Sequence, residues 1–244
     1  MNSKVALITG ASRGIGSETA RLFASQGYSL FLVCHQKRQQ LDELLMTLTH
    51  EYHVPCQGFC ADLGCEKNVA EIFSEIQKQH GHLDVLINNA GISHIGLLQD
   101  MTLDQWDTMI RTDLTSVFLT CRSALPLMLH QKSGSIVNVS SVWGNVGASC
   151  EVAYSAAKSG VNGLTRALAK ELAPSGIRVN AAAFGAIDTS MNQFLSPQEK
   201  QSLTEEIPLG RFGTPGEAAA LLYDLAVNHP YLTGQVITMD GGWI

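Results

Sequence analysis

The sequence predicts an α/β fold, a doubly wound parallel sheet of seven strands in a single domain that takes up residues 1–244. Short apolar segments of strand type alternate with longer segments of helical periodicity, which is typical of a parallel sheet covered by helices on both faces. A glycine-rich turn, 10–16, follows the first apolar segment and leads directly into a helix. No internal repeat, linker or low-complexity tract divides the chain, so we expect one domain.

The elements follow from apolar spacing. Strands are predicted at 5–9, 29–34, 54–60, 83–87, 135–139, 177–182 and 235–239. Helices are predicted after the glycine turn, at 41–49, at 67–79, once or twice within 101–131, at 153–173 and at 216–227. The helix at 153–173 is the clearest, because Ala157, Val161, Leu164 and Leu168 keep helical spacing before Pro174 ends it.

The segment 184–208 carries no strand pattern. It is polar, with a few apolar residues such as Met191 and Leu195. Long segments of this kind in a compact fold often close over a substrate, so we expect a substrate loop here.

Composition excludes several classes of protein. The chain is 45% hydrophobic and 16% charged, as in ordinary soluble domains, and its net charge is −6. Without a Lys/Arg-rich run, nucleic-acid binding is not expected. The chain enters its first strand without a signal-peptide pattern and has no run of 18 apolar residues, so we expect a cytoplasmic protein with no membrane contact.

The cysteines do not predict a metal site. Six cysteines are consistent with reduced thiols. His50, His53, Cys56, Cys60 and Cys65 fall close together, but without the paired Cys-x-x-Cys spacing of zinc sites. We therefore expect no metal.

The glycine turn has the composition of a phosphate-binding loop. Gly10, Gly14 and Gly16 would let the backbone turn tightly and approach a pyrophosphate, whose charge the free N–H groups of the following helix stabilise. The spacing is Gly-x-x-x-Gly-x-Gly. Taken alone, the turn could also be a simple connector.

The end of the second strand bears on which dinucleotide would bind. NAD sites usually place an acidic residue here for the ribose 2′-hydroxyl, but the sequence continues with His35, Gln36, Lys37 and Arg38. Together with Arg13, these residues suit a 2′-phosphate, so NADP(H) is the expected cofactor. The alternative is that Lys37 and Arg38 are an exposed helix start.

The segment 140–170 holds the candidate chemistry. Tyr154 and Lys158 are four residues apart, so they share one helix face, and an ammonium beside a phenol favours the phenolate and lowers its pKa from about 10. A phenol of this kind can exchange a proton with a carbonyl oxygen of a substrate. Ser141 follows a predicted strand and could present its hydroxyl to the same carbonyl oxygen. No side chain can donate a hydride, so the reduction of a carbonyl would need a nicotinamide.

The glycine turn, the Asn-Asn-Ala-Gly motif at 88–91, Ser141 and the Tyr154-x-x-x-Lys158 motif occur in this order. With them the chain resembles the short-chain dehydrogenase/reductase family from end to end. The resemblance implies a Rossmann-type sheet, a bound NAD(P)(H), Ser141 orienting the carbonyl, Tyr154 as acid and base, and Lys158 lowering the Tyr154 pKa while holding the nicotinamide ribose. Pattern and resemblance together give the expected cofactor-binding set: Gly10, Ser12, Arg13, Gly14, Ile15, Gly16, His35, Lys37, Asp62, Leu63, Asn89, Ala90, Gly91, Tyr154, Lys158, Ile187 and Thr189.

Two positions depart from the family pattern. Asp113 stands where the family usually has a catalytic Asn, whose backbone carbonyl holds a water in a proton relay to the lysine. A carboxylate near Lys158 would stabilise the ammonium and partly cancel its effect on Tyr154. We keep Asp113 as a catalytic candidate. The usual Pro-Gly after the sixth strand is here Phe184-Gly185.

Within the family, 207–212 and the Asp-Gly-Gly tail resemble 3-oxoacyl-acyl-carrier-protein reductases. Finer motifs, at 143–144, 147–152, 192–194 and 199–200, are similar to bacterial reductases of a 5-aminopentanone adduct on elongation factor P. Of two basic positions with which the fatty-acid enzymes meet their carrier protein, one matches Lys132 and the other falls on Ser175.

We therefore expect a ketone substrate that is carried on a protein, either acyl-carrier protein or elongation factor P. A non-catalytic dinucleotide-binding regulator is the remaining alternative, although it would normally have lost Ser141, Tyr154 or Lys158. The resemblance and the apolar Trp243-Ile244 end also lead us to expect a homotetramer.

Overall fold

A computed structural model describes residues 3–193 and 195–244, so Phe194, which contributes to the motif at 192–194, lies outside the described residues. Over these residues the chain forms a seven-stranded parallel sheet in the order β3-β2-β1-β4-β5-β6-β7, as the sequence predicts. The strands are β1 Val5–Thr9, β2 Ser29–Cys34, β3 Cys56–Cys60, β4 Val85–Asn88, β5 Gly134–Ser141, β6 Ile177–Phe184 and β7 Val236–Met239.

Helices connect the strands. They are α1 Gly14–Ser25, α2 Arg38–Tyr52, α3 Glu66–Gln79, α4 Leu103–Ile110, α5 Ser116–Gln131, α6 Trp143–Val146, α7 Val152–Leu172, α8 Pro197–Glu206 and α9 Pro215–Val227. A π-helical turn, Arg111–Thr115, joins α4 to α5. Within the described residues, no helix combines the length and the apolar character needed to cross a bilayer.

Each face of the sheet buries its own apolar layer. Helices α1, α2 and α9 cover one face, where Phe23, Leu44 and Leu222 belong to one cluster. Helices α3, α5 and α7 cover the other, where Ile72 and Val161 belong to a second. The strand order reverses between β1 and β4, and in doubly wound sheets a crevice for ligands opens outside the carboxyl ends of the strands at such a point.

Strands β5 and β6 are each two residues longer than predicted at the carboxyl end. Ser141 pairs with Phe184 in register, and the Phe184 carbonyl accepts a hydrogen bond from the Val142 N–H (3.0 Å). The apolar alternation ends at Val139, so the pattern alone could not show that Ser140 and Ser141 continue the ladder. As a result, Phe184 is a buried strand residue, and the segment predicted to be a substrate loop begins at Gly185 rather than at Phe184.

Helix α8 lies within the segment 184–208, which the sequence predicts to be a loop. Its start carries a capping box: the Ser196 hydroxyl accepts from the Glu199 N–H, and the Glu199 carboxylate accepts from the Ser196 N–H. Pro197 occupies the first turn, where its missing N–H costs nothing. The capping signals were present, but α8 buries no residue, so apolar spacing could not reveal it.

A buried chain of polar side chains crosses the second apolar layer. The Thr120 hydroxyl donates to Asn88 Oδ1 (2.7 Å), Asn88 Nδ2 donates to Asn138 Oδ1 (2.9 Å), and Asn138 Nδ2 donates to Thr165 Oγ1 (2.9 Å). All four side chains are nearly inaccessible to solvent. This amide bridge ties α5, β4, β5 and α7 together directly behind the candidate site.

Candidate active site

A cavity of about 970 Å³ opens at the carboxyl ends of the strands, near the upper end of the usual range for ligand pockets. It brings together nearly every candidate site residue. Those lining it are Gly10, Ser12, Arg13, Gly14, Ile15, His35, Lys37, Asp62, Leu63, Asn89, Ala90, Gly91, Asp113, Ser141, Tyr154, Lys158, Ile187 and Thr189.

Gly16 is the predicted cofactor residue that does not line the cavity. It is buried beneath the turn, where a Cβ atom would lie 2.2 Å from the Gly10 carbonyl oxygen. Gly16 therefore allows α1 to pack against the turn. Gly10 has a φ of +64°, a conformation that glycine adopts without strain, and a Cβ there would meet the Asn89 amide at 2.8 Å.

The Asn89 side chain supports the turn. Its amide donates to the carbonyl oxygens of Thr9 and Gly10 at 3.0 and 3.2 Å. Thr9, which the sequence prediction missed, accepts hydrogen bonds from the Asn89 and Ala90 N–H groups, both at 2.9 Å. Its position as the last residue of β1, next to the strand that ends in Asn88, was the available signal. These bonds fix the glycine turn against the 88–91 turn.

The far end of the cavity carries exposed cationic and imidazole groups. Arg13, at the start of α1, and His35 and Lys37, just beyond β2, all line it and are exposed. Arg38 does not line the cavity; its guanidinium pairs with Asp42 on the same helix (2.9 Å). Asp62 lines the cavity, and its carboxylate also accepts from the Gly64 N–H (2.8 Å).

Lys158 lies in the wall of the cavity and is almost fully buried. Its ammonium donates to the Val139 carbonyl oxygen (3.1 Å) and lies 3.2 Å from Asp113 Oδ2 and 5.5 Å from the centre of the Tyr154 ring. The Ser141 hydroxyl oxygen accepts from the Trp143 N–H (3.2 Å), which leaves the hydroxyl proton for another acceptor. We call Asp113, Ser141, Tyr154 and Lys158 the catalytic wall.

The balance of charges on Tyr154 differs from the sequence-based expectation. Burial raises the pKa of Tyr154; Lys158 and the Ser141 hydroxyl act to lower it, while Asp113 and Glu151 raise it further. The net direction is upward, so the expected lowering was wrong as a net effect. Lys158 does favour the phenolate, but burial and two nearby carboxyl groups outweigh it in the protein alone.

The Lys158 ammonium owes its charge to its partners. Burial is the strongest influence and acts to lower the pKa of Lys158, but attraction to Asp113 and Tyr154 outweighs it and raises that pKa above its usual value. Gly91 makes room for the pair, because a Cβ there would lie 2.8 Å from Asp113 Oδ2 and 3.3 Å from Lys158 Nζ.

The cavity is also lined by aromatic and acidic side chains that we call the acidic-aromatic end: Trp143, Glu151, Glu206 and Trp243. The two indole rings meet edge to face, with 4.9 Å between their centres, and the Trp243 N–H donates to Glu206 (3.3 Å). Burial raises the pKa of Glu151. Trp243 is thus half-buried against Trp143 within one chain, and of the apolar Trp243-Ile244 end only Ile244 is exposed.

The acidic-aromatic end was only partly foreseen. Trp143 and Glu151 belonged to motifs used for the resemblance, but Glu206 and Trp243 were not site candidates. They come from α8 and the C-terminal tail, which only the tertiary fold brings to the cavity. Elsewhere, the 3–193 and 195–244 ranges contain no group of three or more His, Cys, Asp or Glu side chains arranged to hold a metal ion.

Comparison with known proteins gives consistent matches along the chain. A family model described as short chain dehydrogenase matches residues 4–200. An uncharacterised oxidoreductase of Bacillus subtilis, YmfI, is 41% identical over 242 residues, covering 99% of both chains. The 3-oxoacyl-[acyl-carrier-protein] reductase FabG of Aquifex aeolicus is 39% identical over 243 residues, 99% of this chain and 98% of that one. A solved Agrobacterium tumefaciens structure, provisionally assigned as a gluconate dehydrogenase, superposes with a TM-score of 0.93 at 30% identity, covering 98% and 95% of the two chains.

Proposed function

The chain belongs to the short-chain dehydrogenase family, and we propose that it is an NADPH-dependent carbonyl reductase that converts a carrier-linked ketone to a secondary alcohol. The observation that carries this proposal is the meeting of Ser141, Tyr154 and Lys158 in one wall of a cavity that also reaches the glycine turn. Membership in the family and the FabG relatives imply a nicotinamide dinucleotide.

The residues present fit such a cofactor. The glycine turn leaves no room for side chains at Gly10, and it presents the open start of α1 to the cavity, where backbone N–H groups favour a pyrophosphate. Lys158 would hold the nicotinamide ribose, and Ile187 and Thr189, which also line the cavity, would contact the dinucleotide. When bound, the nicotinamide supplies the hydride that no side chain can give.

The catalytic wall supplies the remaining chemistry. The Ser141 hydroxyl and the Tyr154 phenol would together hold the ketone oxygen and polarise the carbonyl. Tyr154 would then give its proton to the oxygen as negative charge develops there. A phenol with a raised pKa is protonated at neutral pH, which is the form that reduction requires.

NADPH is favoured over NADH by charge. Arg13, His35 and Lys37 line the end of the cavity that lies beyond β2, where a 2′-phosphate would sit, and no acidic residue stands at the end of β2 to accept from a 2′-hydroxyl. Because Arg38 is paired with Asp42, it should contribute less to attracting the 2′-phosphate than the sequence suggested.

Two substrates of the carrier-linked class have support. A 3-oxoacyl group on acyl-carrier protein is the substrate in the printed name of the FabG relatives. A 5-aminopentanone group on elongation factor P is favoured by the acidic-aromatic end, because two carboxyl groups, Glu151 and Glu206, and two indole rings line the cavity there and could receive a cation.

The test is the oxidation of NADPH with each ketone under matched conditions. We expect turnover of at least one carrier-linked ketone, and turnover of the aminopentanone adduct if the acidic-aromatic end selects the substrate. A protein that binds NADPH but reduces neither these ketones nor a generic activated ketone would be a regulator, and the proposal would fail.

We also propose a homotetramer. Leu103 and Phe118, on α4 and α5, are large apolar residues that are 73% and 46% exposed, and Ile244 at the chain end is 50% exposed. Partner subunits would cover such surfaces. Light scattering at micromolar concentration checks the assembly, and a monomer would contradict it.

A further inference from the structure

Asp113 is a carboxylate with almost no contact with solvent. It projects from the π-helical turn, its side chain is 0% exposed, and its Oδ1 accepts a hydrogen bond from the Ile92 N–H (2.8 Å). Oδ2 lies 3.2 Å from Lys158 Nζ, but that contact is an ion pair without good hydrogen-bond geometry. Burial raises the pKa of Asp113, whereas the Lys158 ammonium and the Ile92 N–H act to lower it, so these two groups are what favour the carboxylate at this buried position.

The dependence is mutual. Lys158 is 4% exposed, and its ammonium also donates a hydrogen bond to the neutral Val139 carbonyl oxygen. Burial in apolar surroundings favours the neutral amine. The titratable groups that act on Lys158 are Asp113, from the turn between α4 and α5, and Tyr154, from its own helix; Glu151 acts on Tyr154 from the start of α7.

The backbone is shaped to keep the pair close. Asp113 projects from the π-helical turn. Gly91 lies against both charged groups, and a Cβ atom at this position would come too close to Asp113 Oδ2. The contact is therefore built from three chain segments: the 88–91 turn, the π-helical turn and α7.

We propose that Asp113 is a positioning residue of the reaction that acts through Lys158, because its carboxylate keeps the buried ammonium charged and in place beside Tyr154. The proposal deepens the proposed function and rests on it for its kinetic arm alone. The same carboxylate opposes the Tyr154 phenolate, so it holds the phenol in its proton-donating form to higher pH.

The direct test needs neither ketone nor cofactor. The ¹³Cε shift of Lys158, assigned with Lys158→Arg in protein labelled at lysine, reports whether the side chain is charged. In the wild type we expect an ammonium up to pH 10 or above, since the ordinary lysine pKa is about 10.4. Titration below about pH 9 in the wild type would overturn the proposal, even if the Asp113 variant does not fold.

The variant test compares Asp113→Asn with Asp224→Asn, which removes the same charge from α9 at a surface carboxylate that is hydrogen-bonded to His229. In Asp113→Asn we expect Lys158 to titrate at least about one pH unit lower, and the basic limb of kcat/KM for reduction to fall by about one unit, while Asp224→Asn matches the wild type. Lys158 and Tyr154 titrate as a coupled pair, so the apparent value is the observable.

Two results would overturn the proposal. Titration and pH profiles that superimpose on those of the wild type would show that the carboxylate does not act on Lys158. A hundredfold loss of rate at every pH, with an unchanged basic limb, would show that Asp113 takes part in the chemistry directly. If no ketone is reduced by any variant, the proposed function fails, whereas the Lys158 titration still decides the role of Asp113.

Discussion

The catalytic wall and the acidic-aromatic end face the same cavity but are built differently. In the wall, Asp113, Ser141 and Lys158 are buried on regular elements and bonded to the backbone of other segments. At the other end, Glu206 is exposed on α8 and Trp243 is on the tail; the two are joined by one 3.3 Å hydrogen bond.

This difference suggests that one region sets the rate of ketone reduction and the other sets which ketone is bound. Buried groups with several backbone partners hold a fixed geometry, which proton transfer and carbonyl polarisation require. Loops and chain ends change conformation more readily than buried elements, and they commonly carry binding residues. We therefore expect changes in the wall to alter the rate with any ketone, and changes at the acidic-aromatic end to alter which ketone is reduced.

The largest effect is expected from Tyr154→Phe in the wall. Loss of the proton donor should lower kcat by on the order of 10² to 10⁴, while the ring still packs and the Kd for NADPH stays nearly unchanged. Steady-state kinetics measure kcat, and fluorescence titration measures the Kd for NADPH. Tyr231→Phe, at a fully exposed tyrosine, is the matched control. A variant that keeps more than a tenth of the wild-type kcat would remove Tyr154 from its role.

At the other end, Glu206→Gln should change selection. Loss of the charge beside Trp243 should lower kcat/KM for an amine-bearing ketone by about three- to tenfold relative to a neutral 3-oxoacyl thioester. Glu205→Gln, one residue earlier on α8 and outside the cavity, is the control. An equal fall for both ketones would mean that this end does not select by charge.

Cofactor preference tests the far end of the cavity. The wild type should have the higher kcat/KM with NADPH, and Lys37→Ala should lower that value by about tenfold with little change for NADH, because a phosphate partner is lost. Arg38→Ala, engaged with Asp42, should have a smaller effect. A wild-type preference for NADH would refute our interpretation of the β2 end.

The smallest effects come from two equivalent caps. Thr102 caps α4, which leads to the π-helical turn of the wall, and Ser196 caps α8. Loss of a cap costs about 1 kcal/mol, or roughly 2–4 °C in Tm for a chain of this size. We expect Thr102→Ala to lower Tm with an unchanged KM for the ketone. Ser196→Ala should raise KM with little change in Tm, since α8 buries no residue. The opposite pattern would erase the distinction between the two regions.

The fold could be predicted because apolar segments repeat with the period of each element. Ser141, Tyr154 and Lys158 could be predicted because they follow the glycine turn and the Asn-Asn-Ala-Gly motif in the order that the family resemblance requires. It missed the direction of the Tyr154 pKa, since burial and the approach of Glu151 are tertiary facts. It missed Glu206 for a related reason: no local pattern links α8 to the tail. The capping box of α8 could have predicted this helix, but its polar composition gives no apolar periodicity.

The amide bridge behind the site bears on how the chain chooses its native packing. Asn88, Asn138 and Thr165 satisfy one another only when β4, β5 and α7 have the native alignment. A slip of α7 by one residue would strand these polar groups inside an apolar layer, at about 1–3 kcal/mol for each unsatisfied group. The bridge therefore adds a polar penalty against slipped alignments, which would also carry Tyr154 and Lys158 away from Ser141.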